Sequence, residues 1–168
     1  NELFEGDNGA VLLDTQYRMS SQIGKLIGDL FYSGKLIDGR KEEISDAVNW
    51  IDYKPTKKWP LDVEIKSDNP KIFNLDECKI ILQLVNLLSK LDDVGSIAII
   101  APYRAQVNKL RTILKNVNLN INVDTVDGSQ GKESDVVIFS LTRNHGPFRF
   151  LSDEQRLNVA LSRAKNKI

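Results

Sequence analysis

Ile97-Ala98-Ile99-Ile100 is an unbroken apolar run between the turn Asp92-Asp93-Val94-Gly95 and Pro102. A strand with one wet face alternates apolar and polar residues, so a run without alternation has both faces covered. The run therefore predicts a parallel strand inside a sheet that carries helices on both sides. Pro102 suits the first turn of a following helix, from which Val107, Leu110 and Leu114 face inward at helical spacing. Residues 121–123 and 136–141 read as two further strands.

The flanking segments follow the same alternation of strand and helix. Val11-Leu12-Leu13 reads as a short strand. Met19, Ile23, Leu26, Ile27, Leu30 and Phe31 then predict an amphipathic helix, opened by Ser20 or Ser21 and ended at Gly34. Asn74 and Glu77 have the spacing of a capping box, and Ile80, Leu84, Leu87, Leu88 and Leu91 form the expected buried stripe. Ser152 and Gln155 make a similar pair before a helix whose inner face is Leu157, Ala160, Leu161 and Ala164. Residues 37–73 have the least regular pattern: Val48, Trp50 and Ile51 suggest one strand, residues 62–66 another, and Lys54-Pro55-Thr56-Lys57-Lys58 a polar connection. The alternation predicts one doubly wound α/β domain over residues 1–168 with right-handed crossovers. Ligands are expected at the carboxyl ends of its strands, where the loops after Ile100, Val123 and Leu141 line one rim.

Composition excludes more than it suggests. Lys+Arg and Asp+Glu balance at 23 each, so bulk charge announces no nucleic-acid partner and any basic groove must be local. Cys78 is the single cysteine, which rules out an intrachain disulfide and a thiolate zinc cluster, and it reads as a small core residue. No apolar run approaches ~18 residues and no secretory leader pattern is seen. The expectation is no membrane partner and, by default, a cytoplasmic location. The chain opens at Asn1 and closes at Lys167-Ile168 directly after a helical pattern, so it is expected to be part of a longer protein.

Chemistry concentrates in the last third. Arg163 follows Arg156 by one heptad, which places both on nearly one face of a continuous helix. Alone, such a pair reads as a solvated face. Ala160, Ser162 and Ala164 beside Arg163 leave room for a bulky ligand, and a guanidinium suits a γ-phosphate. The stretch Thr125 to Glu133 carries two glycines with hydroxyl and amide groups, suited to approaching phosphates, or else a plain polar connection. Gly128-Ser129-Gln130-Gly131-Lys132 is not a P-loop: two residues separate its glycines instead of four, and Glu133 stands where Ser or Thr would hold Mg²⁺. Asp153-Glu154 is accounted for by helix capping and the helix dipole. Tyr17-Arg18 pairs a ring with a cation, a stacking and phosphate-binding possibility set against an ordinary buried tyrosine. His145 lies in a polar stretch with no triad or metal spacing around it.

In order along the chain, five segments resemble the second RecA-like domain of superfamily 1 helicases, in the branch of the nonsense-mediated-decay helicase and related helicase–nucleases. They are Gln16-Tyr17-Arg18-Met19, Phe31-Tyr32-Ser33-Gly34-Lys35-Leu36, Ala101-Pro102-Tyr103-Arg104-Ala105-Gln106, Val126 to Glu133, and Arg156 to Lys165. The resemblance implies a RecA-like P-loop NTPase fold, a mostly parallel sheet flanked by helices, without its own Walker motifs. It implies that Tyr17 stacks on adenine and that Arg18 contacts the phosphates. Glu133 would hold the ribose with Gly131 shaping that edge, and Arg163 would be the arginine finger. Pro102, Tyr103, Gln106, Thr125 and Ser129 would lie toward a single strand of DNA or RNA and contact its backbone. ATP with Mg²⁺ would be shared with a preceding RecA-like domain that supplies the metal ligands, and no metal ligand is expected here. Travel would run 5′→3′. The chain alone is expected neither to hydrolyse ATP nor to unwind, and the strand that follows the arginine helix in that family is expected to be missing beyond Ile168.

Two other readings stay open on the residues. One is a non-catalytic nucleic-acid-binding or scaffolding domain of the same shape. The other is the helicase part of a helicase–nuclease fusion, although no grouped Asp, Glu and Lys set for cleavage is found in these residues.

Overall fold

The computed structural model describes residues 13–54, 62–64, 71–92, 94–143 and 152–168. In chain order its elements are β1 (Thr15–Gln16), α1 (Ser21–Phe31), β2 (Ile37–Asp38), β3 (Asp62–Glu64), β4 (Lys71–Phe73), α2 (Leu75–Leu88), β5 (Ile97–Ala101), α3 (Arg104–Ile113), β6 (Ile121–Thr125), β7 (Ser134–Phe139), α4 (Glu154–Leu161) and β8 (Ala164–Lys167). The central sheet is four-stranded and parallel throughout, in the order β6-β5-β7-β8. β1 and β2 form a parallel pair and β3 and β4 an antiparallel one.

All five residues of β5 are buried, as the unalternated run requires. Ala98 and Ile100 face one layer, packed with Met19, Ile23 and Ile27 of the α1 region and with Ala160 of α4. Ile97, Ile99 and Ala101 face the other, against Cys78, Ile81 and Val85 of α2 and Val107 and Leu110 of α3. Helices thus cover both faces of a parallel α/β sheet. Among the described residues no helix is long and apolar enough to cross a membrane.

Several local expectations need correction. In α2 the buried side is Cys78, Ile81 and Val85, while Leu87 is exposed. The sequence offers two overlapping apolar stripes, and packing against α3 and β5 selects the other one. Asn74 caps this helix by accepting from the N–H of Glu77 (3.0 Å), but Glu77 does not reach back: the N–H of Asn74 donates to Gln106 Oε1 (2.8 Å). Asp153, not Ser152, caps α4, accepting from the N–H of Arg156 at 3.1 Å. Leu13 lies outside any strand, and residues 11–12 fall outside the described residues. Val48, Trp50 and Ile51 form no strand and are exposed. Residues 55–58 and His145 also fall outside the described residues.

The chain end differs most. α4 stops at Leu161, and Ala164 begins a strand that pairs in parallel with β7, with Ser134 opposite Ala164. A strand therefore does follow the arginine helix. The chain turns at Ser162 and Arg163 after the helix, and pairing with β7 carries it on as a strand whose fully buried Ala164 lies on the same core as Ile168.

Candidate functional site

Because the sheet is parallel, its two rims carry different residues. β7 begins at Ser134 and β8 at Ala164, so Glu133 and Arg163 stand side by side at the amino rim. The N–H of Ser134 donates to the carbonyl of Arg163 at 3.0 Å, fixing the two chains there. Arg18 arrives from the turn after β1, held because the N–H of Ser20 donates to Lys165 O at 2.7 Å. Its guanidinium donates through Nε to Glu133 Oε2 (2.9 Å) and through Nη1 to the carbonyl of Ser162 (3.1 Å). Lys165 Nζ takes the other carboxylate oxygen, Glu133 Oε1, at 2.8 Å.

Arg163 lies beyond the helix, so it does not share a helical face with Arg156. Its Nε donates to the carbonyl of Val159 at 2.9 Å, and Nη1 and Nη2 reach the carbonyl of Lys132 (3.3 Å) and Ser162 Oγ (3.4 Å). Desolvation lowers the guanidinium's pKa, and the charge of Arg18 lowers it further. Hydrogen bonds from Lys165 and then Arg18 hold the Glu133 carboxyl below the ordinary glutamate range. Arg18, Lys165 and Arg163 thus gather around Glu133, and the Asp135 carboxylate is also close enough to feel the charge of Lys165. Tyr17 stands next to it with 73% of its surface exposed, so it is not a core tyrosine. Gly131, at φ +79°, has open space where a side chain would be.

This cluster occupies the amino rim, opposite the carboxyl ends of the strands at which ligands are expected. The carboxyl rim carries Pro102, Tyr103 and Thr125, all half-buried. Thr125 Oγ1 accepts from the N–H of Gly128 at 3.2 Å. The chain from Thr125 to Glu133 passes from one rim to the other through a short 3₁₀ turn, Asp127–Ser129. Beneath it lies a cavity of about 10 Å³ lined by Asp124, Ser129, Lys132, Glu133 and Arg163 among others. That is room for no more than one water (roughly 10–15 Å³), so this cavity itself does not take a nucleotide.

Two residues expected to face a strand do not reach the surface. Gln106 is fully buried, donating through Nε2 to Ser140 Oγ (3.0 Å) and accepting from the N–H of Asn74. Ser129 is 3% exposed, and its hydroxyl donates to the carbonyl of Val126 at 2.7 Å. Both satisfy buried backbone and side-chain groups. Among the described residues no three His, Cys, Asp or Glu side chains converge as a metal site would need.

Sequence reading missed Lys165 and Arg40. Lys165 lay inside a matching segment, and its contact with Glu133 follows only once β8 pairs with β7. Arg40 sits in the irregular stretch, and its Nη1 donates to the carbonyls of both Arg18 (2.7 Å) and Lys165 (3.0 Å).

Residues 2–168 match a protein-family model described as AAA domain. The chain is 33% identical to helicase SEN1 of Saccharomyces cerevisiae, across 98% of this chain and 8% of that protein. It is 35% identical to an uncharacterized ATP-dependent helicase of Methanocaldococcus jannaschii (94% and 26%) and 30% identical to the DNA replication ATP-dependent helicase/nuclease DNA2 of Bos taurus (99% and 19%). The chain therefore spans about a quarter or less of the length of these relatives. Among solved structures, the C-terminal domain of a possible DNA helicase from Lactobacillus plantarum WCFS1 superposes with a TM-score of 0.55 at 17% identity, over 91% of this chain and 84% of that one. At that identity the likeness bears on the fold alone.

Proposed function

Because the chain belongs to the AAA domain family of the matched model, as a superfamily 1 helicase C-terminal RecA-like domain, we propose that it is one half of an ATP-driven nucleic-acid motor. Its amino rim closes over an ATP held mainly by a preceding RecA-like domain. The observation that carries this reading is the grouping of cations at that rim: Arg18 and Lys165 share the Glu133 carboxylate, while Arg163, whose hydrogen bonds go to carbonyls and a hydroxyl, has its charge disfavoured by desolvation and by Arg18. A triphosphate at the open face would relieve that repulsion.

On this reading Tyr17, exposed and adjacent, stacks on the base, and Arg18 and Arg163 reach the phosphates. Glu133 orients Arg18 and Lys165 and meets the ribose, with Gly131 shaping that edge. Arg163 stabilises charge on the transferring phosphoryl group. Magnesium would neutralise phosphate charge from ligands on the preceding domain. At the opposite rim Pro102, Tyr103 and Thr125 meet the backbone of single-stranded DNA or RNA, while Gln106 and Ser129 hold those loops in shape. The segment 125–133 then joins the two ligands across the sheet.

The test is Arg163→Ala in the full-length protein, assayed for nucleic-acid-stimulated ATP turnover. A loss of about 10³-fold or more is expected of an arginine finger. Turnover near wild type would sink the assignment.

A further inference from the structure

A second layer behind the nucleotide-facing cluster determines where Tyr17 and Arg18 stand. The turn after β2, Asp38-Gly39-Arg40, runs beneath the Gln16–Met19 turn that carries them. Pairing of β1 with β2 brings the two together, the N–H of Gly39 donating to the carbonyl of Gln16 at 2.8 Å. The Gln16 side chain closes its own turn: Oε1 accepts from the N–H of Arg18 (3.0 Å) and of Met19 (2.7 Å), and Nε2 donates to Asp38 Oδ1 (2.9 Å). Asp38 also accepts from Ser21 Oγ (2.5 Å) and from the N–H groups of Arg40 (3.1 Å) and Lys41 (3.2 Å). The Ser21 hydrogen bond is the main reason its carboxyl sits below the ordinary aspartate range.

Two contacts reach directly toward the cluster. Gly39 lies against the Tyr17 ring so closely that a Cβ at this position would fall 2.7 Å from Cζ and 2.8 Å from Cδ1. A side chain at residue 39 would therefore displace the ring from this position. Arg40 Nη1 bridges the carbonyls of Arg18 and Lys165, joining the segment before α1 to β8 through one nitrogen. Nη2 donates to Asn166 Oδ1 (2.8 Å) and Nε to Glu42 Oε2 (2.6 Å), so the fork is fully directed. Arg40 leaves only 20% of its side chain exposed, which suits it to bracing and not to meeting a ligand.

We propose that Gly39 and Arg40 are positioning residues for nucleotide turnover, Gly39 by seating the Tyr17 ring and Arg40 by clamping the Arg18 backbone to Lys165. The inference rests on the nucleotide reading of the cluster. The two residues have separable signatures. A base stacked on Tyr17 is held equally in the ground and transition states, so disturbing the ring raises KM and leaves kcat. Arg18 meets charge that develops during transfer, and a misplacement of ~1 Å costs on the order of 10²-fold in kcat.

Steady-state ATP turnover of the full-length protein, with circular dichroism to establish folding, tests this. Gly39→Ala is expected to raise KM for ATP about tenfold at unchanged kcat, and to add nothing in a Tyr17→Ala background. Arg40→Met is expected to lower kcat by roughly 10- to 100-fold, with partial recovery in Arg40→Lys. Wild-type KM in Gly39→Ala and wild-type kcat in Arg40→Met, while Tyr17→Ala and Arg18→Ala are impaired, would overturn the positioning role and leave the nucleotide reading standing. Full turnover in Tyr17→Ala and Arg18→Ala would overturn both. If Arg40→Met does not fold, Arg40→Gln takes its place under the same kcat criterion, and in the Gly39→Ala and Tyr17→Ala cycle equal losses in both backgrounds would show that Gly39 does not act through the ring.

Discussion

Glu77→Gln should make the protein more stable at alkaline pH and no more stable at acidic pH. Glu77 belongs to a knot of polar groups at the carboxyl rim. Its Oε2 accepts from the N–H of Thr142 at 2.7 Å, while the Asn74 amide donates to the carbonyl of Thr142 (3.3 Å) and to Tyr53 Oη (2.8 Å). Burial is the main cause that pushes the Glu77 carboxyl from an ordinary 4.5 up to about 7. The folded protein therefore holds the proton more tightly than the unfolded chain. The associated stability is fully present below pH 4.5, declines as pH rises, and is gone above about 7. At 1.36 kcal/mol per pH unit the ionised carboxylate costs up to roughly 3 kcal/mol. Glutamine keeps the acceptor for Thr142 and never ionises. For a chain of this size that corresponds to a Tm roughly 5–10 °C higher than wild type at pH 8.5, shrinking to nothing by pH 4.5. Thermal unfolding of both proteins across that range, followed by circular dichroism, measures the difference. A gap in Tm that does not change with pH would refute the reasoning.

Two further outcomes follow from packing. Ile23, fully buried under the sheet, should cost about 2–5 kcal/mol when changed to Ala, read from denaturant unfolding. Cys78 is fully buried, so its thiol should react with an aromatic disulfide reagent only at the rate of unfolding, and immediately in denaturant.

What was legible in the sequence was local in origin. The apolar run of β5 announced a strand covered on both faces, and Asn74 announced the start of α2, because each signal depends on neighbouring residues only. The burial of Gln106 depends on Asn74, 32 residues away, and on Ser140, 34 away. A polar residue in the first turn of a helix gives no sign of such partners. Arg156 to Lys165 reads as helix throughout, because the spacing of four from Ala160 to Ala164 to Ile168 fits a helix as well as a strand, and pairing with β7 decides between them. The same pairing moves Arg163 off the helix and brings Lys165 to Glu133. Arg40 was invisible because its value lies in two carbonyl groups, which no side-chain pattern reports.

The central claim is that Arg163 serves the transition state of phosphoryl transfer in a nucleotide shared with another domain. Binding of ADP with aluminium fluoride, compared with ADP alone, tests it most directly in full-length wild type and Arg163→Ala. The account predicts that the variant keeps its ADP affinity and loses about 10³-fold or more of its preference for the transition-state mimic. An unchanged preference would contradict it.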